Sequence, residues 1–190
     1  MDLSPERKIA GVLAPLFALR TEDDLGIGDL AALRQFIDWA AEIGFKLVQL
    51  LPINEAGGDH SPYNAISAVA IEPTTLHLAP GSPNDLTQGD FDQVVGDFDL
   101  EKLRKGAVKH DRVRKLKIAL LQKAFRRFVE SATDTASFDK FCENEAGWLD
   151  DYSFFRALMD ENGGRETWDQ WRDEHRTRDS ARDWLAAQTP

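Results

Sequence analysis

The sequence predicts an α/β chain that opens like a (β/α)8 barrel, with two parallel strands around a crossover helix, and then turns mainly helical. Three observations carry this. Residues 9–19, IAGVLAPLFAL, and 45–51, FKLVQLL, are nearly unbroken apolar runs, as strands covered on both faces require. Between them Leu30, Leu33, Phe36, Ile37, Ala40 and Ala41 recur at helical spacing. Strand, helix and strand in that order pair in parallel with a right-handed crossover. Two strands and three or four helices do not close a sheet, however, and both sheet edges stay open. A complete barrel takes about 250 residues and this chain has 190, so the fold expected is a partial (β/α)8 barrel, its first two strands, with an inserted helical subdomain.

The first strand should cover roughly residues 9–14 and end at Pro15. Asp29 is placed to cap the following helix and Gly44 to stop it. The second strand runs from Phe45 to Leu51 and ends at Pro52. Residues 53–70, INEAGGDHSPYNAISAVA, are too irregular for an element and too long for a minimal turn. A loop like this at the carboxyl end of a parallel strand is where α/β enzymes place their chemistry. Residues 80–99 read as turn-rich and acidic. From Asp111 onward Val113, Leu116, Leu120, Leu121, Ala124, Phe125 and Phe128 form one apolar stripe, with a basic, solvated face opposite. A short helix near Phe138–Asn144 should precede another over Trp148–Glu161, closed by Gly163 and Gly164, and a charged remainder holds Trp168, Trp171 and Trp184. Two domains are expected: 1–80, the barrel opening with its loop, and 81–190, the helical insertion.

Composition narrows the function. Thirty-three acidic against 23 basic residues give a net charge of −10, which repels nucleic-acid backbones and anionic membranes alike. Cys142 is the sole cysteine, so no internal disulfide forms and a reducing, cytoplasmic setting is expected. No leader-like segment and no 18-residue apolar run is present. His60, His77, His110 and His175 are scattered and no His-Glu-x-x-His occurs, so no metal or other cofactor is expected. Gly26-Ile27-Gly28 lacks the spacing of a phosphate loop and reads as a turn leading into a helix.

The segment Asp59-His60-Ser61-Pro62-Tyr63-Asn64 stands apart. It sets a carboxylate, an imidazole, a hydroxyl, a phenol and an amide within six residues, with Pro62 stiffening the backbone. Such a set suits a polyhydroxylated ligand, whose hydroxyls need donors and acceptors and whose ring face stacks on an aromatic. From these residues alone, a polar turn without a ligand fits equally well.

The order of segments adds more. Gly11-Val12-Leu13 with Pro15-Leu16, Leu25-Gly26-Ile27-Gly28-Asp29-Leu30, Phe36-Ile37-Asp38-Trp39-Ala40, Val48-Gln49-Leu50-Leu51-Pro52 and Gly58-Asp59-His60-Ser61-Pro62-Tyr63 together resemble the start of the 4-alpha-glucanotransferases (amylomaltases, disproportionating enzymes) of the alpha-amylase clan. The resemblance is strong over residues 9–80 and continues more loosely through Trp148–Leu158 to Trp168 and Trp171. It implies a barrel enzyme that transfers alpha-1,4-glucan segments between maltodextrins by a retaining double displacement between two carboxylates. In the family those carboxylates lie on later strands, so this chain would lack them and be inactive alone. The resemblance also implies substrate binding by Ser61 and Tyr63, with Asp59 shaping the loop. Asn64 completes the candidate set. The remainder of the barrel is then the expected partner. Two features depart from the family pattern: Gly57-Gly58 stands where many members place a tyrosine, and His60 is an extra residue. A non-catalytic maltooligosaccharide-binding or interaction module is the alternative reading.

Overall fold

The computed structural model describes residues 8–81, 86–131 and 135–188. The chain divides between residues 132 and 133 into two compact units.

In the first unit, β1 (Gly11–Ala14) and β2 (Leu47–Leu50) form a two-stranded parallel sheet, with Gly11 opposite Leu47 and Ala14 opposite Leu50. Helix α1 (Leu30–Glu42) connects them. As expected, Asp29 caps it, its Oδ1 accepting from the Ala31 and Ala32 amides at 3.0 and 3.1 Å. Gly44 follows it at φ +91°, a conformation only glycine adopts freely. The Gly26–Gly28 segment is structural, as its spacing suggested. Gly26 sits at φ +97°, and a Cβ on Gly28 would lie 2.1 Å from the Leu16 carbonyl oxygen.

The strands are not covered on both faces. Their side chains alternate between exposed and half-buried, with Leu13 53% and Leu47 43% exposed. Among the described residues no third strand pairs with either edge, so the apolar runs that identify the strands find nothing to pack against on one side.

The core lies instead among the helices. Leu25 and Ile27 pack with Leu78 and Leu86 from connecting segments and with Val94, Leu103, Val113, Leu116, Leu120 and Ala124, drawn from α2 (Gln88–Gly96), α3 (Leu100–Arg104) and α4 (His110–Ser131). The turn-rich reading of residues 80–99 is corrected in part here, because α2 occupies Gln88–Gly96. Its start is a capping signal, Thr87-Gln88-Gly89-Asp90, in which Thr87 Oγ1 accepts from the Asp90 amide at 3.1 Å.

On α4 the buried stripe contains Val113, Leu116, Leu120 and Ala124 as expected, whereas Phe125 faces solvent. Lys117 is fully buried on the same face, four residues after Val113. The basic residues of this helix are therefore not all solvated. Lys117 Nζ donates to the Leu76 carbonyl at 2.7 Å and lies 3.9 Å from Asp29 Oδ2. Burial pushes this ammonium down to about 8, against the pull of Asp29, Asp24 and Glu72.

The second unit is built on α5 (Ala136–Glu161), one continuous helix of 26 residues where two were expected. Gly147 sits inside it, and a mid-helix glycine costs only about 1 kcal/mol, too little to break the rod. Gly163 and Gly164 end it at φ +71° and +79°, the Gly164 amide donating to the Met159 carbonyl at 2.8 Å. Single 3-10 turns at Trp168–Gln170 and Asp173–His175 lead to α6 (Arg178–Gln188). Leu158, Met159, Trp171, His175 and Ala181 are buried here. Among the described residues, no helix is long and apolar enough to cross a membrane.

Candidate functional site

The stretch after β2 folds back on itself as a pinned hairpin. The Glu55 amide donates to the Ala70 carbonyl at 2.9 Å, the Ile66 amide to Glu55 at 2.8 Å and the Glu72 amide to Ile53 at 3.0 Å. Antiparallel bridges pair Asn54 with Ile71 and Ala56 with Ala65. Its tip is the Asp59–Asn64 segment, raised from the carboxyl end of the parallel strands.

Asp59 organises that tip. Its Oδ1 accepts from the Ser61 amide at 3.0 Å and its Oδ2 from the Asn64 side-chain amide at 3.1 Å. These two donors hold the Asp59 carboxyl below the usual carboxylate range, the Ser61 contribution being the larger. A carboxylate so held is a strut and not a proton donor near neutral pH. The Asn64 backbone closes the turn, its amide donating to the Ser61 carbonyl and its carbonyl accepting from Gly57. Ser61 Oγ accepts from the Tyr63 amide at 3.4 Å. Tyr63 projects outward, 75% exposed. The four candidates thus come together on one tip: Asp59 and Asn64 shape it, and Ser61 and Tyr63 present a hydroxyl and a phenol.

Beneath the tip is a small pocket of about 50 Å3, lined from the strand ends by Leu51, Pro52 and Asn54, from the tip by His60 and Pro62, and from the far wall by Glu72, His110 and Arg114. Ser61 and Tyr63 are not among its lining residues. His60 takes a left-handed backbone, φ +56°, and its ring stacks on His110 with centroids 4.7 Å apart and planes at 13°. His60 Nε2 lies 3.2 Å from Asp111 Oδ1. Burial, and next the charge of His60, lower the proton affinity of His110, while Glu72 and Asp111 oppose them. The hairpin base is clamped by Arg114, which donates to Glu55 Oε1 at 2.6 Å and Glu72 Oε1 at 3.1 Å. Glu72 also accepts from the Ala56 and Thr74 amides. Among the described residues, no group of three or more His, Cys, Asp or Glu is placed to hold a metal ion.

His110, Arg114, Glu55 and Glu72 escaped the sequence reading. Glu72 had a signal, since an acidic residue before Pro73 reads as a cap with proline at the first helical position. Arg114 follows Val113 directly, beside the apolar stripe. Glu55, inside an irregular loop, gave none.

A parallel β-α-β pair with a polar tip and pocket at its carboxyl end defines an α/β protein, the class in which strand ends are the usual place for ligands. The family profile described as 4-alpha-glucanotransferase matches residues 14–189, and the chain belongs to that family. It is 35% identical over 149 residues to a 4-alpha-glucanotransferase of Chlamydia pneumoniae, covering 78% of this chain and 28% of that protein. It is 32% identical over 156 residues to one of Oryza sativa subsp. japonica, covering 80% of this chain and 16% of the relative. The amylomaltase of Streptococcus agalactiae, solved in complex with acarbose, shares its fold with a TM-score of 0.70 at 23% identity, over 96% of this chain and 36% of that one. The chain therefore spans well under half the length of these proteins.

Proposed function

We propose that this chain is the N-terminal part of a 4-alpha-glucanotransferase that moves alpha-1,4-glucan segments between maltodextrins. β1, α1 and β2 begin a (β/α)8 barrel in residues 1–80, and residues 81–190 form a mainly helical insertion. The remainder of the barrel covers the open sheet, and the two carboxylates of the double displacement stand on its later strands. The observation that carries this reading is the Ser61-Pro62-Tyr63 tip, held by Asp59 over the carboxyl ends of the parallel strands with Tyr63 turned to solvent. The exposed apolar side chains of Leu13 and Leu47 support it further, since a sheet meant to stand alone would not leave them bare. Tyr63 stacks on or hydrogen-bonds a glucose unit, and Ser61 bonds a neighbouring hydroxyl. A neutral substrate needs no charged field, so an acidic cytoplasmic protein without a cofactor can handle it.

The test is product analysis with maltotriose. The full-length polypeptide carrying this chain should release glucose and build longer maltodextrins, and Tyr63→Ala should slow that at least tenfold. The 190 residues alone should release none. An inert full-length polypeptide, or turnover by the 190 residues alone, would refute the proposal.

A further inference from the structure

The second unit contains a cleft that the reading above leaves unused. It is an open cleft of about 260 Å3 between α5 and the turns that follow. Phe155 and Trp171 form its apolar floor, their rings 5.4 Å apart and tilted by 35°. Trp171 is buried and anchored, its indole N–H donating to the Arg165 carbonyl at 2.7 Å. Trp168, on the preceding turn, stands in the wall 62% exposed. An exposed indole on the wall of a concave site offers a flat face to a ligand.

The polar groups fit one ligand class. Arg178 is paired with Asp151 across the rim, and Arg176 is held by Asp173 at 2.7 Å and by the Trp171 carbonyl at 2.8 Å. Each cation has a carboxylate beside it, so the cleft presents donors and acceptors side by side with little net field. An anionic ligand would need an uncompensated arginine. A neutral ligand with adjacent hydroxyls matches the Asp–Arg pair, one hydroxyl donating to the carboxylate while its neighbour accepts from the guanidinium. His175 lines the cleft as a packed residue at 2% exposure, its ring meeting Trp184 edge-to-face with centroids 4.4 Å apart and its Nδ1 2.8 Å from Asn162 Nδ2.

From this geometry we infer that the cleft of the second unit binds an alpha-glucan segment, one glucose ring stacking on Trp168 and its hydroxyls meeting the Asp151–Arg178 pair. The choice of a glucan over other neutral polyols rests on the transferase reading; the cleft itself does not.

Calorimetric titration of the full-length polypeptide with maltoheptaose tests it. Trp168→Ala should remove a binding event or weaken it about tenfold, the scale of one aromatic contact together with its buried area, while Trp168→Phe keeps most of the affinity. Tyr63→Ala should leave that event in place. Because Trp168 is exposed, the alanine variant keeps its fold, which an unchanged melting temperature verifies. Maltoheptaose isotherms that Trp168→Ala leaves unchanged within twofold, or an absence of any binding, would overturn the inference. Glucose release from maltotriose decides the transferase reading separately, so the two fail independently.

Discussion

Removing the Arg114 guanidinium should loosen the hairpin that carries the candidate site. The Glu55 side chain it meets is 1% exposed, and the Glu72 side chain 15%. Breaking a buried pair by deleting one partner costs about 3–5 kcal/mol, because the remaining charge stays desolvated. Arg114 itself is 26% exposed, so water relieves part of that, and about 2 kcal/mol is the working figure. Arg114→Met keeps the apolar stem and removes only the charge. The effect is local, so the assay is amide hydrogen exchange at Ile66 and Glu72, whose amides bond across the hairpin at 2.8 and 3.0 Å. At about 1.4 kcal/mol per factor of ten, exchange there should quicken roughly thirtyfold, while amides of α5, in the other unit, stay unchanged. Adding Glu55→Gln should recover part of the loss, since no bare charge then remains there. An acceleration below threefold at Ile66 and Glu72 would show that the clamp does not hold the hairpin.

Two further outcomes follow from the same packing. Lys117 is charged in the unfolded chain up to its ordinary value near 10.5, but in the fold only up to about 8. Between those values the unfolded state binds more protons, so stability rises with pH, by up to about 3 kcal/mol at the high end. Urea unfolding at pH 7 and pH 10 should show that rise in the wild type and its loss in Lys117→Met; equal pH dependence in both would contradict the buried ammonium. Gly28→Ala should fail to accumulate as folded protein, since its Cβ would meet the Leu16 and Leu19 carbonyl oxygens at 2.1 and 2.5 Å. A variant melting within 2 °C of the wild type would refute that.

The parts of the fold legible in the sequence were those fixed by local rules. Asp29 and Gly44 bounded α1 because capping and left-handed glycine are decided within a few residues. Apolar runs located both strands, yet they could not say what covers them. A boundary failed where a glycine stood inside a helix, at Gly147, because its modest cost is overridden by what lies on either side. Lys117 and Arg114 looked like surface residues, and only the long-range meeting of α4 with residues 55, 72 and 76 turned them inward. In the same way Asp59, Ser61, Tyr63 and Asn64 were legible as one cluster because they are neighbours in sequence. The stacking of His60 on His110, fifty residues away, was not.

That the apolar centre of the first unit gathers on α4 bears on how the chain acquires shape during translation. Its contributors span Leu25 to Ala124, so at about 5–20 residues per second the ribosome delivers the last of them roughly 5–20 s after the first. A nucleus is then complete before α5 is made, and β1 and β2 hang from its side with their backbone edges unclaimed. Whatever strand comes to those edges finds a template already in register, while any stray chain finds the same invitation. Chaperone occupancy should therefore concentrate on residues 9–14 and 45–51 of the nascent protein.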